Sequence, residues 1–328
     1  MQLVLLATLP GVLALTLFFG WGTLINLAIA IPLALVFETA VLKIRKRPIG
    51  FYLGDYSAVV TAVLLAIALP PYSPFWLIAI GIFFAIIIAK HLYGGMGYNP
   101  FNPAMVAYVV LLISFPVEMT QWAAPVGALS NELPNLLPSI QHAFTGNTID
   151  SFAPDGWTMA TPLDVLKNNR SELVADLFAN NKSFGQWAGL GWEWVNLGFL
   201  AGGIFLLYKR VFTWHAPVAM LAALAFCSLF FYDGGSSASK GSPLFHLLSG
   251  ATMFGAFFII TDPVTSAVSN RGRLVYGALI GFILFVIRAW GNYPDALAFA
   301  VLLMNFTAPF IDYYTQPRTY GHSSKENG

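Results

Sequence analysis

Residues 1–47 read MQLVLLATLPGVLALTLFFGWGTLINLAIAIPLALVFETAVLKIRKR, two apolar runs closed by four cations in five positions. The runs, 2–19 and 22–42, each reach the roughly 20 residues that a helix needs to cross a hydrocarbon layer about 30 Å thick. No basic region precedes the first run and no convincing small-residue cleavage site follows it, so it reads as a membrane span and not a secretory signal. It begins almost at Met1, which fits a polar N-terminal extension missing from this sequence. Pro10 and Pro32 are tolerable inside such helices because neighbouring groups can satisfy the freed carbonyls.

The same criterion carried along the 328 residues finds eight further apolar runs, at 56–72, 74–91, 102–117, 192–209, 214–232, 243–261, 273–290 and 295–314. The run at 102–117 is short and suits a broken or tilted helix. Composition agrees with a membrane solvent: 57% of residues are hydrophobic and 9% charged, against roughly 25% charged in soluble domains. Mean hydropathy is +0.70. The net charge of +1 argues against a nucleic-acid partner, which needs a basic stripe.

Cations set the orientation, since Lys and Arg gather on the cytoplasmic side. With Lys43, Arg45, Lys46 and Arg47 inside, alternation places Lys90, Lys209, Arg210, Arg271, Arg273, Arg318 and Lys325 inside as well. Lys167, Arg170, Lys182 and Lys240 fall outside, and Arg288 lies near the outer end of a span. Both termini are therefore expected in the cytoplasm and the polar segment 118–191 on the periplasmic side of a bacterial inner membrane. That segment is irregular apart from a helical stretch over 162–178. The expected fold is all-α: a polytopic membrane protein of ten transmembrane helices forming two inverted five-helix repeats, as in many transporters. Its parts are a first half at 1–117, the loop at 118–191, a second half at 192–314 and a cytoplasmic tail at 315–328. A faint echo between 57–71 and 249–262 supports the repeat.

Cysteine usage limits the redox chemistry. Cys227 is the single cysteine, which excludes a disulfide framework, a CxxC pair and a thiolate iron–sulfur site. An electron carrier here must be an organic cofactor or a haem. His91, His142 and His322 sit at segment edges or in loops; His215 and His246 flank a hairpin, and unpaired boundary histidines fit better than a haem pair. No metal site is expected.

Three motifs can carry chemistry. In Gly97-Tyr98-Asn99-Pro100-Phe101-Asn102-Pro103-Ala104, two Asn-Pro pairs break the helix. The result is either a simple helix-breaking turn or irregular backbone whose amides bind a heterocycle such as a flavin or quinone. In Thr261-Asp262-Pro263-Val264-Thr265-Ser266, Asp262 is a helix stop or a boundary carboxylate for a cation or cofactor. In Asp155-Gly156-Trp157-Thr158-Met159-Ala160-Thr161-Pro162-Leu163-Asp164, local physics gives a helix start, with Thr161 as N-cap, Pro162 first in the helix and Asp164 third. The same geometry would place a phosphate attached to the Thr161 hydroxyl against helical N–H groups.

Residues 97–105 (GYNPFNPAM), 261–267 (TDPVTSA), the span ending Leu69-Pro70-Pro71 and the DG-x-[ST]-x-A-T-P pattern at 155–162 resemble the RnfD/RsxD family, and more distantly NqrB. The resemblance covers essentially the whole chain. It implies a membrane subunit of the Rnf complex, which couples electron transfer between ferredoxin and NAD to Na⁺ or H⁺ translocation. It also implies FMN joined through a phosphodiester to Thr161 by a periplasmic flavin transferase, with Met159 standing where the family has glycine. A second, noncovalent flavin (riboflavin) is implied within the helices, and Asn99, Phe101, Asn102 and Asp262 are its candidate contacts. No residue of the chain is expected to be catalytic by itself. The implied partners are a periplasm-facing covalent flavoprotein subunit, membrane iron–sulfur subunits, the flavin transferase and membrane lipid. Two rival readings remain from the residues alone: a cofactor-free channel or secondary transporter, and a structural scaffold for redox partners.

Overall fold

The computed structural model describes residues 1–128, 133–146, 156–169, 172–234, 236–237, 239–293 and 295–316. Asp155, Arg170, Arg318, His322, Lys325 and the tail from 317 onward, each named above, lie outside the described residues. Each of the ten apolar runs falls on helix, but the helices are unequal. Among the described residues, four are long and apolar enough to cross a membrane: Gln2–Phe19, Gly22–Ile44, Asn270–Trp290 and Leu297–Tyr314. These are spans 1, 2, 9 and 10.

The other six are shorter or interrupted, for reasons visible in the chain. Span 3 is Ser57–Ala68, after which Leu69 turns extended ahead of Pro70 and Pro71. Its 12 residues reach about 18 Å, well short of the hydrocarbon thickness. Span 4 runs Phe75–Phe83 and continues as a π-helical turn over Phe84–His91. Span 5 is Pro103–Ser114, started by Asn102, whose side chain accepts from the N–H groups of Ala104 and Met105. A separate short helix, Pro116–Thr120, follows it. Spans 6 and 7 are Trp192–Tyr208 and His215–Phe230.

Span 8 corrects the expectation of one continuous helix over 243–261. It comprises Pro243–Leu248, a break at Ser249-Gly250-Ala251, then Thr252–Phe254 and a π-helical Gly255–Ile259. Gly250 adopts φ +57°, a left-handed conformation, and that reversal interrupts the helix. Hydropathy is blind to such a break because Ser, Gly and Ala are small and only weakly polar.

The halves meet along two seams. Spans 1 and 6 pack closely, and spans 5 and 10 also touch. Gly202 lies so near the Ala7 carbonyl that a Cβ there would collide with it, the small-residue contact by which membrane helices approach when apolar burial gives no driving force. Asn305 of span 10 ties the second seam. Its Oδ1 accepts from the Asn102 N–H (3.0 Å), and its Nδ2 donates to the Thr265 carbonyl (3.1 Å) and the Tyr276 hydroxyl (2.8 Å).

The segment between spans 5 and 6 closes one end of the bundle. The expected helical stretch at 162–178 is two helices, Pro162–Asn168 and Val174–Asn180, and a further helix, Leu136–Thr145, was not anticipated. Residues 157–159 are pinned to 122–124: Ala124 N–H donates to the Trp157 carbonyl (2.8 Å) and Met159 N–H to the Trp122 carbonyl (3.0 Å). Trp157 is buried edge-on to Tyr72 and His142. The opposite end carries the basic segment 43–47.

Candidate functional sites at the two ends of the seam

Thr161 caps Pro162–Asn168 as its residue types require. The Asp164 N–H donates to Thr161 Oγ1 at 3.3 Å, and the Thr161 hydroxyl donates to Asp164 Oδ2 at 2.6 Å. Lys167, one turn on, donates to the Tyr293 carbonyl at 2.6 Å and so fastens this helix to the connection between spans 9 and 10. Burial holds the Lys167 ammonium below its ordinary value, opposed by the nearby Asp164 carboxylate.

Thr161 and Asp164 lie at the wall of a cavity of about 100 Å³ at the loop end, with Tyr108, Trp122, Trp192 and Asp295 among its other residues. Small-molecule sites run from about 300 Å³ upward, so this cavity takes at most part of a flavin ring. The Thr161 hydroxyl is half-buried at this wall, a placement compatible with attachment at the loop surface. Asp295 also braces the break in span 8. Its Oδ2 accepts from the Ala251 N–H (2.7 Å) and its Oδ1 from Arg288 (3.1 Å). Arg288, buried, also donates to the His246 carbonyl (2.9 Å) and to Thr252 Oγ1 (3.0 Å). A cation thus satisfies carbonyls that the interrupted helix leaves open.

At the basic end a second cavity of about 800 Å³ is lined by Asn99, Asn102 and Asp262, together with Lys90, Arg210 and Arg273. Its volume suits a flavin-sized ligand. Three of the four candidate contacts from the sequence therefore line one cavity; Phe101 is not among its lining residues. The Phe101 carbonyl instead accepts from Asn99 Nδ2 at 3.0 Å. The asparagines are partly engaged by their own backbone: Asn102 Oδ1 serves the helix cap, leaving its Nδ2, and Asn99 leaves its Oδ1. Asp262 is held in its own turn, accepting from the Val264 N–H (3.1 Å) and the Thr265 hydroxyl (3.0 Å). Burial nevertheless pushes its carboxyl above the ordinary value.

Beside this cavity lies a cluster that the sequence reading did not assemble. Lys90 donates to both carboxylate oxygens of Glu38 at 2.9 Å and to Ser57 Oγ at 2.8 Å. His91 Nε2 stands 2.9 Å from Glu38 Oε2. Glu38, Lys90 and His91 are each no more than 4% exposed. Using Lys90 only as one of the cations that set the orientation missed it. The available signal was Glu38 alone in an apolar span, since an ionisable residue inside a membrane is a functional candidate by default. His215 opens span 7 and His246 lies early in span 8, at opposite ends of the bundle, which separates the pair weighed for a haem.

The phenyl rings of Phe199, Phe254 and Phe258 fill the layer between the cavities, with centroids 5.0–6.0 Å apart. Phe199 and Phe254 line the loop-end cavity, and Phe258 the basic-end one.

Residues 1–321 match the model of the NQR2, RnfD, RnfE family. The chain is 61% identical over 325 residues to a protein of Ectopseudomonas mendocina, covering 99% of this chain and 92% of that one. It is 58% identical over 326 residues to a protein of Cellvibrio japonicus, covering 98% and 90%. It is 59% identical over 328 residues to one of Pseudomonas aeruginosa, covering 100% and 93%. All three relatives are named as one and the same subunit of an ion-translocating oxidoreductase complex.

Proposed function

Because the chain belongs to the NQR2, RnfD, RnfE family, we propose that it is the membrane flavoprotein subunit of an Rnf-type ion-translocating oxidoreductase. It lies in the bacterial inner membrane with both termini in the cytoplasm and the segment 118–191 in the periplasm. It carries FMN through a phosphodiester on Thr161 and riboflavin in the basic-end cavity. Bound there, the flavins supply the electron transfer, and ferredoxin–NAD chemistry elsewhere in the complex drives Na⁺ or H⁺ across the membrane. A covalent flavoprotein subunit facing the periplasm would be the electron partner of a flavin held on Thr161. Membrane iron–sulfur subunits complete the path, and a flavin transferase performs the attachment.

The observation that carries this reading is the placement of the two candidate sites at opposite ends of the bundle, each lined by residues of both halves. Thr161 stands at one end, Asn99, Asn102 and Asp262 line the 800 Å³ cavity at the other, and a packed phenyl layer lies between. Thr161 presents the hydroxyl that attachment needs. Asn102 Nδ2 and Asn99 Oδ1 offer a donor and an acceptor for a heterocycle edge, and Arg210 and Arg273 add cations to the lining. Glu38, Lys90 and His91 are buried ionisable groups next to the basic-end cavity, where a change of charge on a ligand is weakly screened.

Flavin fluorescence of the denatured chain in a gel tests the reading. After co-expression with a flavin transferase the wild type is expected to fluoresce and Thr161→Ala to be dark. A dark wild type would return the chain to the cofactor-free transporter class. A fluorescent Thr161→Ala would move the attachment elsewhere.

A further inference from the structure

A threonine hydroxyl is a weak nucleophile near neutral pH and needs a base to take its proton as it attacks. Thr161 already has one in reach. Its O–H points at Asp164 Oδ2, 2.6 Å away, while the Asp164 N–H occupies one of its two lone pairs. The remaining lone pair is left for bond formation. Both side chains are half-buried, so the pair sits at a surface that an enzyme can approach. The spacing comes from the cap itself: residues at the N-cap and third helical positions are brought face to face by the first turn, and Pro162 stiffens its entry.

We propose that Asp164 is the general base for the modification of Thr161, so that the acceptor chain supplies part of the chemistry of its own flavinylation. This rests on the reading of Thr161 as the attachment residue. The donor must be a flavin nucleotide with a leaving group on its phosphate, a flavin adenine dinucleotide by chemical class. Thr161 Oγ1 forms a bond to the flavin-side phosphorus, the P–O bond to the adenylate breaks, and AMP departs with that electron pair. The hydroxyl proton passes to Asp164 Oδ2. Nothing is oxidised or reduced. The transfer also removes a negative charge from Asp164 as the phosphodiester anion forms beside it, which avoids two adjacent like charges.

The test is the initial rate of covalent flavin incorporation into the full-length chain in detergent, with flavin transferase and flavin adenine dinucleotide. Asp164→Asn, Asp164→Ala and Asp164→Glu are compared with wild type, and thermal melts check that each is folded. A base of this kind is worth about 10²–10⁴-fold. Asn and Ala are therefore expected to be equally slow, at least a hundredfold below wild type, with Glu restoring much of the rate. If Asn matches wild type and only Ala is slow, Asp164 merely holds the hydroxyl by accepting its hydrogen bond, and the proposal is overturned. Equal rates in all four chains overturn it too. An unmodified wild type removes the attachment reading and the base with it, an outcome separate from the other two.

Discussion

Replacing Lys90 by methionine removes the ammonium that pairs with Glu38 but leaves a carboxylate 1% exposed inside the bundle. Three hydrogen bonds disappear, two at 2.9 Å to Glu38 and one at 2.8 Å to Ser57. Breaking a buried pair from one side costs about 3–5 kcal/mol, because the remaining charge stays desolvated and unpaired. At 1.4 kcal/mol per factor of ten, that is about 10²–10⁴ in the folded-to-unfolded ratio. Replacing both partners by apolar groups of similar volume is often neutral or stabilising. Lys90→Met should therefore melt well below wild type when folded, monodisperse protein is followed on heating in detergent. Glu38→Met should behave likewise, and the double variant should recover most of the loss. His91, 2.9 Å from the same carboxylate, places the single Lys90 variant toward the lower end of the range. A Lys90→Met chain that melts with wild type would refute the reasoning, as would a double variant no better than the worse single one.

Asn102→Ala removes the cap of span 5 and is expected to cost about 0.5–2 kcal/mol and to lower noncovalent riboflavin in the extracted complex, read by fluorescence of an acid extract. Gly202→Leu should separate spans 1 and 6 by driving a side chain into the Ala7 carbonyl, seen as loss of folded protein on size exclusion. Asp262→Asn tests a linkage. Burial raises the folded-state carboxyl above its unfolded value, so the charged form destabilises the fold at neutral pH and the penalty fades as pH falls toward the ordinary carboxylate value of about 3.9. The Asn variant should melt higher than wild type near pH 7, with the gap closing as the pH is lowered. A gap that is constant with pH would contradict that assignment.

Features set by neighbours in the chain were legible in the sequence. Each of the ten apolar runs contains helix, and Thr161, Pro162 and Asp164 form the helix start that their residue types specify. The hydroxyl-to-carboxylate contact within that start needed the structure, because the same three residues also satisfy an ordinary cap. Asn99, Asn102 and Asp262 reach one cavity although Asp262 lies in the other half of the chain. Features that depend on pairing across the fold were not legible. Glu38 and Lys90 are 52 residues apart, and only the packing of spans 2 and 4 brings them together. Phe101 sits between two candidate residues in the chain, yet it is not in the cavity lining, and its carbonyl accepts from Asn99 instead. The break at 249–251 escaped a hydropathy window because its residues change backbone direction without adding much polarity.

The central claim is that Thr161 carries a flavin, and peptide mapping by mass spectrometry measures it most directly. The chain would be purified from cells that express the complex and a flavin transferase, digested, and the peptide containing Thr161 weighed and fragmented. One FMN in phosphodiester linkage on Thr161 is expected, absent from the Thr161→Ala chain. An unmodified Thr161 in protein from such cells would contradict the claim.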